Sequence, residues 1–309
     1  MPRLFNVGSL NIDLVYRVPG VARPGETLGA RSLERFAGGK GANQSVAAAR
    51  AGAAVSHVGC VGEDGRWLVE LLQADGVDCG SVRVDPAQPT GQAIIQVGDD
   101  GENAIVLWPG ANHATGPEPL DKALSPAGAD DWLLTQNETA NAAAAIAAAA
   151  QRGMRVAFNP APMTDDVAAL PLDGVSLLVV NETEAEALAG RGEVESVVAE
   201  LGARVAGLAV VTLGAKGAIA GDGRSVWRRP GRKVEPVADT TAAGDTFVGY
   251  LVAATMAGQP VESALDRAGA AAALSVTRSG AIPSIPHAAD VDAALRGRGG
   301  EGISPRSWP

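Results

Sequence analysis

A run of small residues that ends in an acid is the segment of this sequence best suited to chemistry. Residues 239–245 read DTTAAGD. The first amides of a helix have no intrahelical acceptor and the helix dipole is positive there, so a helix opening at this run would attract a phosphate or a developing anion. Asp245, in the first turn, could accept a proton from a hydroxyl group. Alternatively, Asp239 and Asp245 only cap and favour a helix start.

A glycine-rich segment, GGKGANQ at 38–44, leads into a predicted helix over 40–52. Consecutive glycines let another molecule approach the backbone closely. Lys40 and Asn43 add a cation and an amide that can bind hydroxyl groups. The spacing matches neither the Walker A loop nor the dinucleotide-binding fingerprint. A tight strand–helix turn would explain the glycines but not the two polar residues beside them.

Two more polar groups follow predicted strands, where an open α/β sheet binds its ligands. Asn11 and Asp13 come just after the first buried strand and could bind vicinal hydroxyls, or form an Asx turn. Residues 181–186, NETEAE, follow the strand at 175–180. Their oxygens could orient Mg²⁺ and its waters, or Asn181 could cap a helix with three acids in its first turn.

The elements that must position these residues alternate regularly from about residue 130. Apolar runs at 132–135, 155–158, 175–180 and 206–212 are separated by helical stretches at 139–152, 182–190 and 193–204. This alternation predicts an α/β fold with a doubly wound, mostly parallel sheet flanked by helices. Strands at about 12–36 and 90–108 are not needed by that sheet, and we expect them to form a small lid. The predicted organisation is one domain over 1–295 and a flexible tail over 296–309.

Composition excludes several classes of protein. The chain has 309 residues and a net charge of −10, which disfavours a nucleic-acid binder. Two cysteines are too few for a disulfide framework, and no zinc spacing occurs. The N-terminus lacks an apolar stretch of signal-peptide length, and no apolar run approaches the length of a membrane span. We therefore expect a soluble, cytoplasmic protein that contacts neither nucleic acid nor membrane.

The order of the motifs along the chain strongly resembles the ribokinase family of carbohydrate kinases. The resemblance runs from about residue 5 to residue 290 and rests on GSLNID at 8–13, GGKGANQ at 38–44, NPAP at 159–162, NETEAE at 181–186, TLG at 212–214 and DTTAAGDTF at 239–247. It implies transfer of the γ-phosphoryl group of ATP to a primary hydroxyl of a sugar, with D-ribose the expected acceptor.

The resemblance also implies roles for single residues. Asp245 would be the general base, and the amides of Ala242, Ala243, Gly244 and Asp245 would form an anion hole. The sugar would contact Asn11, Asp13, Gly39, Lys40, Asn43, Glu138 and Asp245. The nucleotide would contact Asn181, Thr212, Gly214, Gly217 and Gly244.

Ions and a second subunit are implied in the same way. Asn181 and Glu184 would organise Mg²⁺ through water. A monovalent cation, K⁺, would lie among Asp239, Thr241, Ser275, Arg278, Gly280 and Ser284. The lid strands would pair between subunits to make a homodimer.

The sequence departs from the family pattern at a few positions. Val180 replaces a proline, Gln136 and Asn137 replace a more apolar approach to Glu138, and Gly269 stands where an Asn or His often flanks the adenine. A kinase for another sugar, a sugar acid or a nucleoside therefore stays open. A non-catalytic sugar or nucleotide sensor is the other alternative, and the presence of Asp245 argues against it.

Overall fold

Two β-sheets organise the part of the chain that this computed structural model describes, residues 2–114 and 116–297. The strands, in chain order, are β1 (Arg3–Val7), β2 (Asn11–Arg17), β3 (Ser32–Gly38), β4 (Ala54–Gly62), β5 (Asp78–Asp85), β6 (Gly91–Val97), β7 (Asn103–Trp108), β8 (Trp132–Gln136), β9 (Arg155–Asn159), β10 (Leu177–Asn181), β11 (Leu208–Thr212), β12 (Gly217–Gly221) and β13 (Val226–Pro230). The helices are α1 (Lys40–Arg50), α2 (Arg66–Ala74), α3 (Pro117–Leu124), α4 (Ala142–Gln151), α5 (Asp165–Ala168), α6 (Glu182–Ala189), α7 (Val194–Arg204), α8 (Ala243–Met256), α9 (Val261–Ser275) and α10 (Ala288–Arg296).

The larger sheet has nine strands in the order β13-β12-β11-β10-β9-β8-β1-β4-β5. The strands from β11 to β5 pair in parallel, and β12 and β13 add antiparallel at one edge. The predicted fold class, a mostly parallel sheet flanked by helices, is confirmed.

Helices cover both faces of this sheet, because its central strands are apolar on both sides. Along β1, Leu4 packs in one buried cluster with α1, α2, α8 and α9, and its neighbour Phe5 packs in a second cluster with α3, α4, α6 and α7. Adjacent side chains of a strand point to opposite faces, so continuous apolar strands require two helix layers.

The smaller sheet has the strand order β3-β2-β6-β7 and grows from the carboxyl end of β1. Its strands lie within one or two residues of the two stretches, 12–36 and 90–108, that the sequence sets apart from the main sheet. One face is buried through the paired residues Ile12 and Ala37, whereas β7 is exposed along most of its length. That this sheet closes as a lid stays a prediction.

Some predicted boundaries were wrong. The helix expected over 40–52 ends at Arg50, and Gly52 follows with a φ of 102°, as a helix stop does. The helix expected over 139–152 begins only at Ala142. β5 and α3 were not predicted, since β5 is a half-exposed edge strand and α3 is short and proline-containing.

The ends of the chain add two findings. α10 reaches Arg296, and residues 298–309 of the predicted flexible tail lie outside the described residues. Among the described residues, none of the helices combines the length and apolar character needed to cross a bilayer.

Candidate active site

The residues singled out in the sequence meet at the carboxyl edge of the nine-stranded sheet. Asn181 is the last residue of β10 and Thr212 the last of β11, and the first turn of α8 brings Asp245 to the same edge. This is the edge at which open α/β sheets bind ligands. The motifs are therefore spatial neighbours although they are spread over the chain.

The start of α8 is shaped by an unusual backbone conformation. Ala242 has a φ of 59° and is the one non-glycine residue in the described part of the chain with a positive φ. Such a left-handed turn is strained for a residue with a side chain. The amides of Gly244 and Asp245 follow in the first turn, where they lack intrahelical acceptors. A Cβ built on Gly244 would meet no atom within 4 Å, so the chain leaves open space beside this turn.

The Asp245 carboxylate is buried and held by two amide side chains from α1. Asn43 Nδ2 donates to Oδ2 at 2.9 Å, and Gln44 Nε2 donates to Oδ1 at 2.9 Å. A carboxylate oxygen has two lone pairs, so each oxygen can accept one more hydrogen bond. Asn43 was predicted as a site residue, whereas Gln44 was not.

Glu138 and Lys40 form a charged pair beside this carboxylate. Glu138 Oε2 accepts hydrogen bonds from Ser9 Oγ at 2.6 Å and from the Lys40 amide at 3.0 Å. The Lys40 ammonium lies 3.8 Å from Glu138 Oε1. The Asp245 carboxylate raises the pKa of Lys40, although burial acts in the opposite direction. The Lys40 side chain is therefore positively charged.

Asp13 is a further acid of this pocket, and its surroundings disfavour the charged form of its carboxyl group. Burial, followed by the negative charges of Glu138 and Asp245, raises its pKa to about 7, against a lowering by Lys40. A Cβ on Gly38 would lie 2.1 Å from Asp13 Oδ2. This glycine therefore makes room for the chain's own Asp13, whereas the sequence indicated room for another molecule.

Asn11 is oriented by a residue that the sequence analysis missed. Asn112 Nδ2 donates to Asn11 Oδ1 at 2.7 Å, and Asn112 Oδ1 accepts from the Leu10 amide at 2.9 Å. Because Asn112 occupies the Asn11 oxygen, the Asn11 amide hydrogens are left to serve as donors. No local motif marks Asn112, which lies a hundred residues away in sequence.

A cleft of about 650 Å³ opens on the other side of Gly244. Of the residues predicted to contact a nucleotide, it is lined by Thr212, Gly214, Gly217 and Gly244, but not by Asn181. Gly269 also lines it, and a Cβ there would meet no atom within 4 Å. Apolar side chains supply most of the remaining lining, among them Val237, Phe247, Leu265, Ala272 and Val276. None of these five was predicted to contact a ligand.

Asn181 and Glu184 form a capping box at the start of α6. The Glu184 amide donates to Asn181 Oδ1 at 2.8 Å, and the Asn181 amide donates to Glu184 Oε2 at 2.9 Å. The capping interpretation is therefore confirmed. Burial raises the pKa of Glu184, and the charges of Lys40 and Asp245 also act on this carboxyl. Its second oxygen, Oε1, lies outside the capping box.

These acids outnumber the cations around them, as a site for a hard divalent ion requires. Asp13, Glu138, Glu184 and Asp245 interact electrostatically with the single ammonium of Lys40. Oxygen ligands and excess negative charge fit Mg²⁺. Among the described residues there is no group of three or more His, Cys, Asp and Glu side chains that could hold a metal by themselves.

The predicted cation loops are already joined through Asp239. Its Oδ1 accepts from the amide and hydroxyl of Thr241 at 2.9 and 2.6 Å, and its Oδ2 accepts from the Gly280 amide at 2.9 Å. Burial acts the other way, but these hydrogen bonds leave the pKa of Asp239 below its usual range. A carboxylate beside loop carbonyls is a donor set that suits K⁺.

The other three residues of that set direct their side chains elsewhere. The hydroxyls of Ser275 and Ser284 donate to carbonyls of their own turns, and Arg278 lies 3.7 Å from Asp290. The Arg278 side chain is a cation, so this residue could offer an ion only its backbone oxygen, whereas the two serine hydroxyl oxygens keep their lone pairs.

Comparisons with known proteins indicate one family. The model of the pfkB family of carbohydrate kinases matches residues 1–288. A ribokinase of Haemophilus influenzae is 38% identical over 293 residues, which cover 91% of this chain and 94% of that protein.

Solved structures give the same answer. Ribokinase from Cryptococcus neoformans in complex with ADP superimposes with a TM-score of 0.82 at 35% identity, covering 95% of this chain and 99% of that one. Arabidopsis thaliana ribokinase complexed with ribose and ATP has a TM-score of 0.83 at 30% identity, covering 96% of this chain and 99% of that one.

Proposed function

The chain belongs to the pfkB family of carbohydrate kinases, and from this premise we propose that it transfers the γ-phosphoryl group of ATP to the 5-hydroxyl group of D-ribose. One observation carries the proposal: a polar pocket and an apolar cleft meet at the first turn of α8, where Asp245 lies. The polar pocket suits a sugar with many hydroxyls, and the cleft suits a nucleotide base.

Asp245 is the proposed general base. It lies in the same turn as the open amides of Gly244 and Asp245, so a hydroxyl bound to its carboxylate would face a phosphoryl group placed at those amides. The ribose hydroxyl would take the remaining lone pair of one carboxylate oxygen. Because proton acceptor and anion site are fixed to one helix start, little rearrangement is needed during transfer.

The sugar end of the pocket supplies donors and acceptors of defined direction. Asn11 offers amide hydrogens because Asn112 holds its oxygen. Asp13 and Glu138 offer carboxylate oxygens, and Lys40 offers an ammonium to the remaining ring hydroxyls. Asn43 donates a hydrogen bond to the carboxylate of Asp245, the proposed general base. Closure of the smaller sheet over this pocket would exclude water and suppress ATP hydrolysis.

Two ions complete the proposal. Asn181 and Glu184 would hold Mg²⁺ through water, and the ion, when bound, neutralises charge on the phosphates of ATP. K⁺ would lie at Asp239 and the carbonyls of the facing loop, where it orders the turn that presents the anion-binding amides. Glu184 and Asp239 keep their carboxylates in place through hydrogen bonds in this chain.

The acceptor is tested with a panel of sugars. A coupled assay of ADP formation with ribose, deoxyribose, fructose, ketodeoxygluconate and nucleosides should give the highest kcat/KM with ribose. Product analysis should place the phosphate on the 5-oxygen. A higher kcat/KM with a nucleoside would identify the chain as a nucleoside kinase of the same family. No turnover with any acceptor would favour a non-catalytic sensor.

A further inference from the structure

A row of buried amide side chains is connected to Asp245 by hydrogen bonds. We call it the amide row: Asn6, Gln44, Gln136 and Asn159, none more than 7% exposed. The proposed chemistry uses none of these four side chains.

Gln44 links the amide row to Asp245, and both of its amide hydrogens are used in hydrogen bonds. Its Nε2 donates to Asp245 Oδ1 and to Asn159 Oδ1, each at 2.9 Å. Its Oε1 accepts from Gln136 Nε2 at 2.7 Å. The amide group is therefore engaged at both ends.

One end of the row is anchored on a backbone carbonyl. Asn159 Nδ2 donates to the Val179 carbonyl oxygen at 2.9 Å. A carbonyl only accepts, so Asn159 must turn its NH₂ group to Val179 and its oxygen to Gln44.

The other end is anchored in the same way. Asn6 Nδ2 donates to the Gly41 carbonyl oxygen at 2.8 Å, which turns Asn6 Oδ1 towards Gln136. Gln136 Nε2 then donates to Asn6 Oδ1 at 3.0 Å as well as to Gln44. Both ends thus impose the same orientation on Gln44.

We infer that Gln44 is a positioning residue for the base, an inference that rests on the proposed function of Asp245. An inverted Gln44 amide would set its oxygen against Asp245 and Asn159 oxygens, and its NH₂ group against that of Gln136. Each of these contacts buries an unmatched polar atom, which destabilises the inverted arrangement. The amide row therefore holds a donor on Asp245 Oδ1 and fixes the carboxylate rotamer.

Close packing of α1 on α8 sets the distance that this contact needs. A Cβ on Gly249 of α8 would lie 2.4 Å from Ala47 Cβ and 2.8 Å from the Gln44 carbonyl oxygen. The two helices can approach this closely only because residue 249 is glycine.

Other charges also act on Asp245 and must be constant in any test. The carboxyls of Asp13 on β2, Glu184 on α6 and Glu138 after β8 surround the site, together with the ammonium of Lys40 on α1. Gln44 is uncharged, so replacing it with an uncharged residue leaves this set unchanged.

The test replaces Gln44 by Met, which removes the donor, and by Glu, which keeps the shape and opposes the Asp245 charge. We expect kcat of Gln44→Met to fall by about 10- to 100-fold, the value of a hydrogen bond to a charged group. The KM for ATP should change less than threefold.

A second readout needs no activity. In the substrate-free protein, the ¹³C chemical shift of the Asp245 carboxyl carbon, assigned by its loss in Asp245→Asn, should change in Gln44→Met and in Gln44→Glu at one fixed pH, because the carboxylate has lost its donor. Ser45→Ala is the matched control, because Ser45 is the next residue, is buried, and contacts Asn6 and His57 instead of Asp245. It should lower the melting temperature and leave the carboxyl signal in place.

The outcomes separate the two proposals. If the unmodified chain phosphorylates no sugar, the proposed function fails, while the carboxyl signal still tests Gln44. If Gln44→Met behaves like Ser45→Ala, losing stability with an unmoved carboxyl signal and an unchanged kcat, Gln44 is only structural and the inference is overturned. Should Gln44→Met fail to fold, an unmoved carboxyl signal in Gln44→Glu would overturn it equally.

Discussion

At the scale of single residues, the site combines groups that make opposite demands on their surroundings. Asp245 accepts hydrogen bonds from two amide donors, whereas Asp13 is desolvated and faces the negative charges of Glu138 and Asp245. Two acids in one pocket are thus held in different environments. Such separation is how a protein keeps one carboxylate ready to accept a proton while another binds substrate.

The role of Asp245 predicts the effect of its amide variant. Asp245→Asn should lower kcat with ribose by about 10²- to 10⁴-fold, the usual contribution of a general base. The KM values should stay within a few fold, because the side chain keeps its size. Steady-state kinetics measures this, with Asp222→Asn, an acid in the exposed turn between β12 and β13, as the control. A loss in kcat of less than tenfold would remove Asp245 from the role of base.

The raised pKa of Asp13 predicts a pH-dependent stability. Its pKa is about 7 in the folded chain against an ordinary value of 3.8, so the folded state binds a proton that the unfolded state releases between these values. This contribution to the free energy of unfolding falls as pH rises from about 4 to about 7, and the full penalty is present above 7. Asp13→Asn should therefore raise the melting temperature at pH 8 by at least ~2 °C more than at pH 5.

Differential scanning calorimetry at the two pH values checks this expectation. Asp166→Asn, a substitution of an exposed acid in α5, should shift the melting temperature equally at both. An equal shift for Asp13→Asn as well would show that Asp13 carries no ionisation penalty in the folded chain.

At the scale of elements, α1 connects the parts of the site. Its first turns deliver Asn43 and Gln44 to α8, and its last residue, Arg50, donates to the carbonyls of Ile282 and Ile285 at 2.9 and 2.6 Å while pairing with Asp75. The segment beyond α9 that carries the predicted cation loop is thus fixed to the helix that holds the base.

This arrangement predicts how potassium should act. K⁺ should raise kcat severalfold over Na⁺ at constant ionic strength, and it should raise the melting temperature, since an ion that binds only the folded state stabilises it. Asp239→Ala should abolish both effects. Asp222→Ala, in the exposed turn after β12, should retain both. Equal melting temperatures in K⁺, Na⁺ and Tris buffers would show that the Asp239 hydrogen bonds order the loops without an ion.

The elements also show what the sequence could predict. Apolar runs such as LLVVN of β10 and LAVVT of β11 are strands in any context that buries both faces, so their alternation with helices indicated the sheet. β5 was missed because only one of its eight residues is buried, and because β4 is its one neighbour among the described strands. Its strand state depends on that neighbour, which local patterning does not record.

The same reasoning separates predicted from unpredicted site residues. Asp245, Asn43 and Asp13 lie in short motifs whose composition is unusual. Gln44 and Asn112 act through contacts with residues 201 and 101 positions away. Their roles follow from the packing of α1 on α8 and of the smaller sheet on β1, and no local pattern encodes that packing.

At the scale of the whole molecule, the smaller sheet leaves an apolar edge strand uncovered. Ile105, Val106, Leu107 and Trp108 of β7 are each more than half exposed. Consecutive residues of a strand point to opposite faces, so β7 is uncovered on both faces, and it pairs only with β6. An edge of this kind invites pairing with another strand. It supports the proposed homodimer through the strands of the smaller sheet.

A charge placed on this edge should separate the subunits. We expect the unmodified chain to elute with twice the mass of one chain in size-exclusion chromatography with light scattering, and Val106→Lys to elute with the mass of one. Val226→Lys is the matched control, because Val226 is also an exposed valine on an edge strand, β13, but at the far side of the larger sheet. It should remain dimeric. Ribose turnover of the separated Val106→Lys chain then shows whether each pocket closes by itself, since the strands that would cover the sugar are the ones that pair. A monomeric unmodified chain at micromolar concentration, or a dimeric Val106→Lys, would contradict pairing through β7.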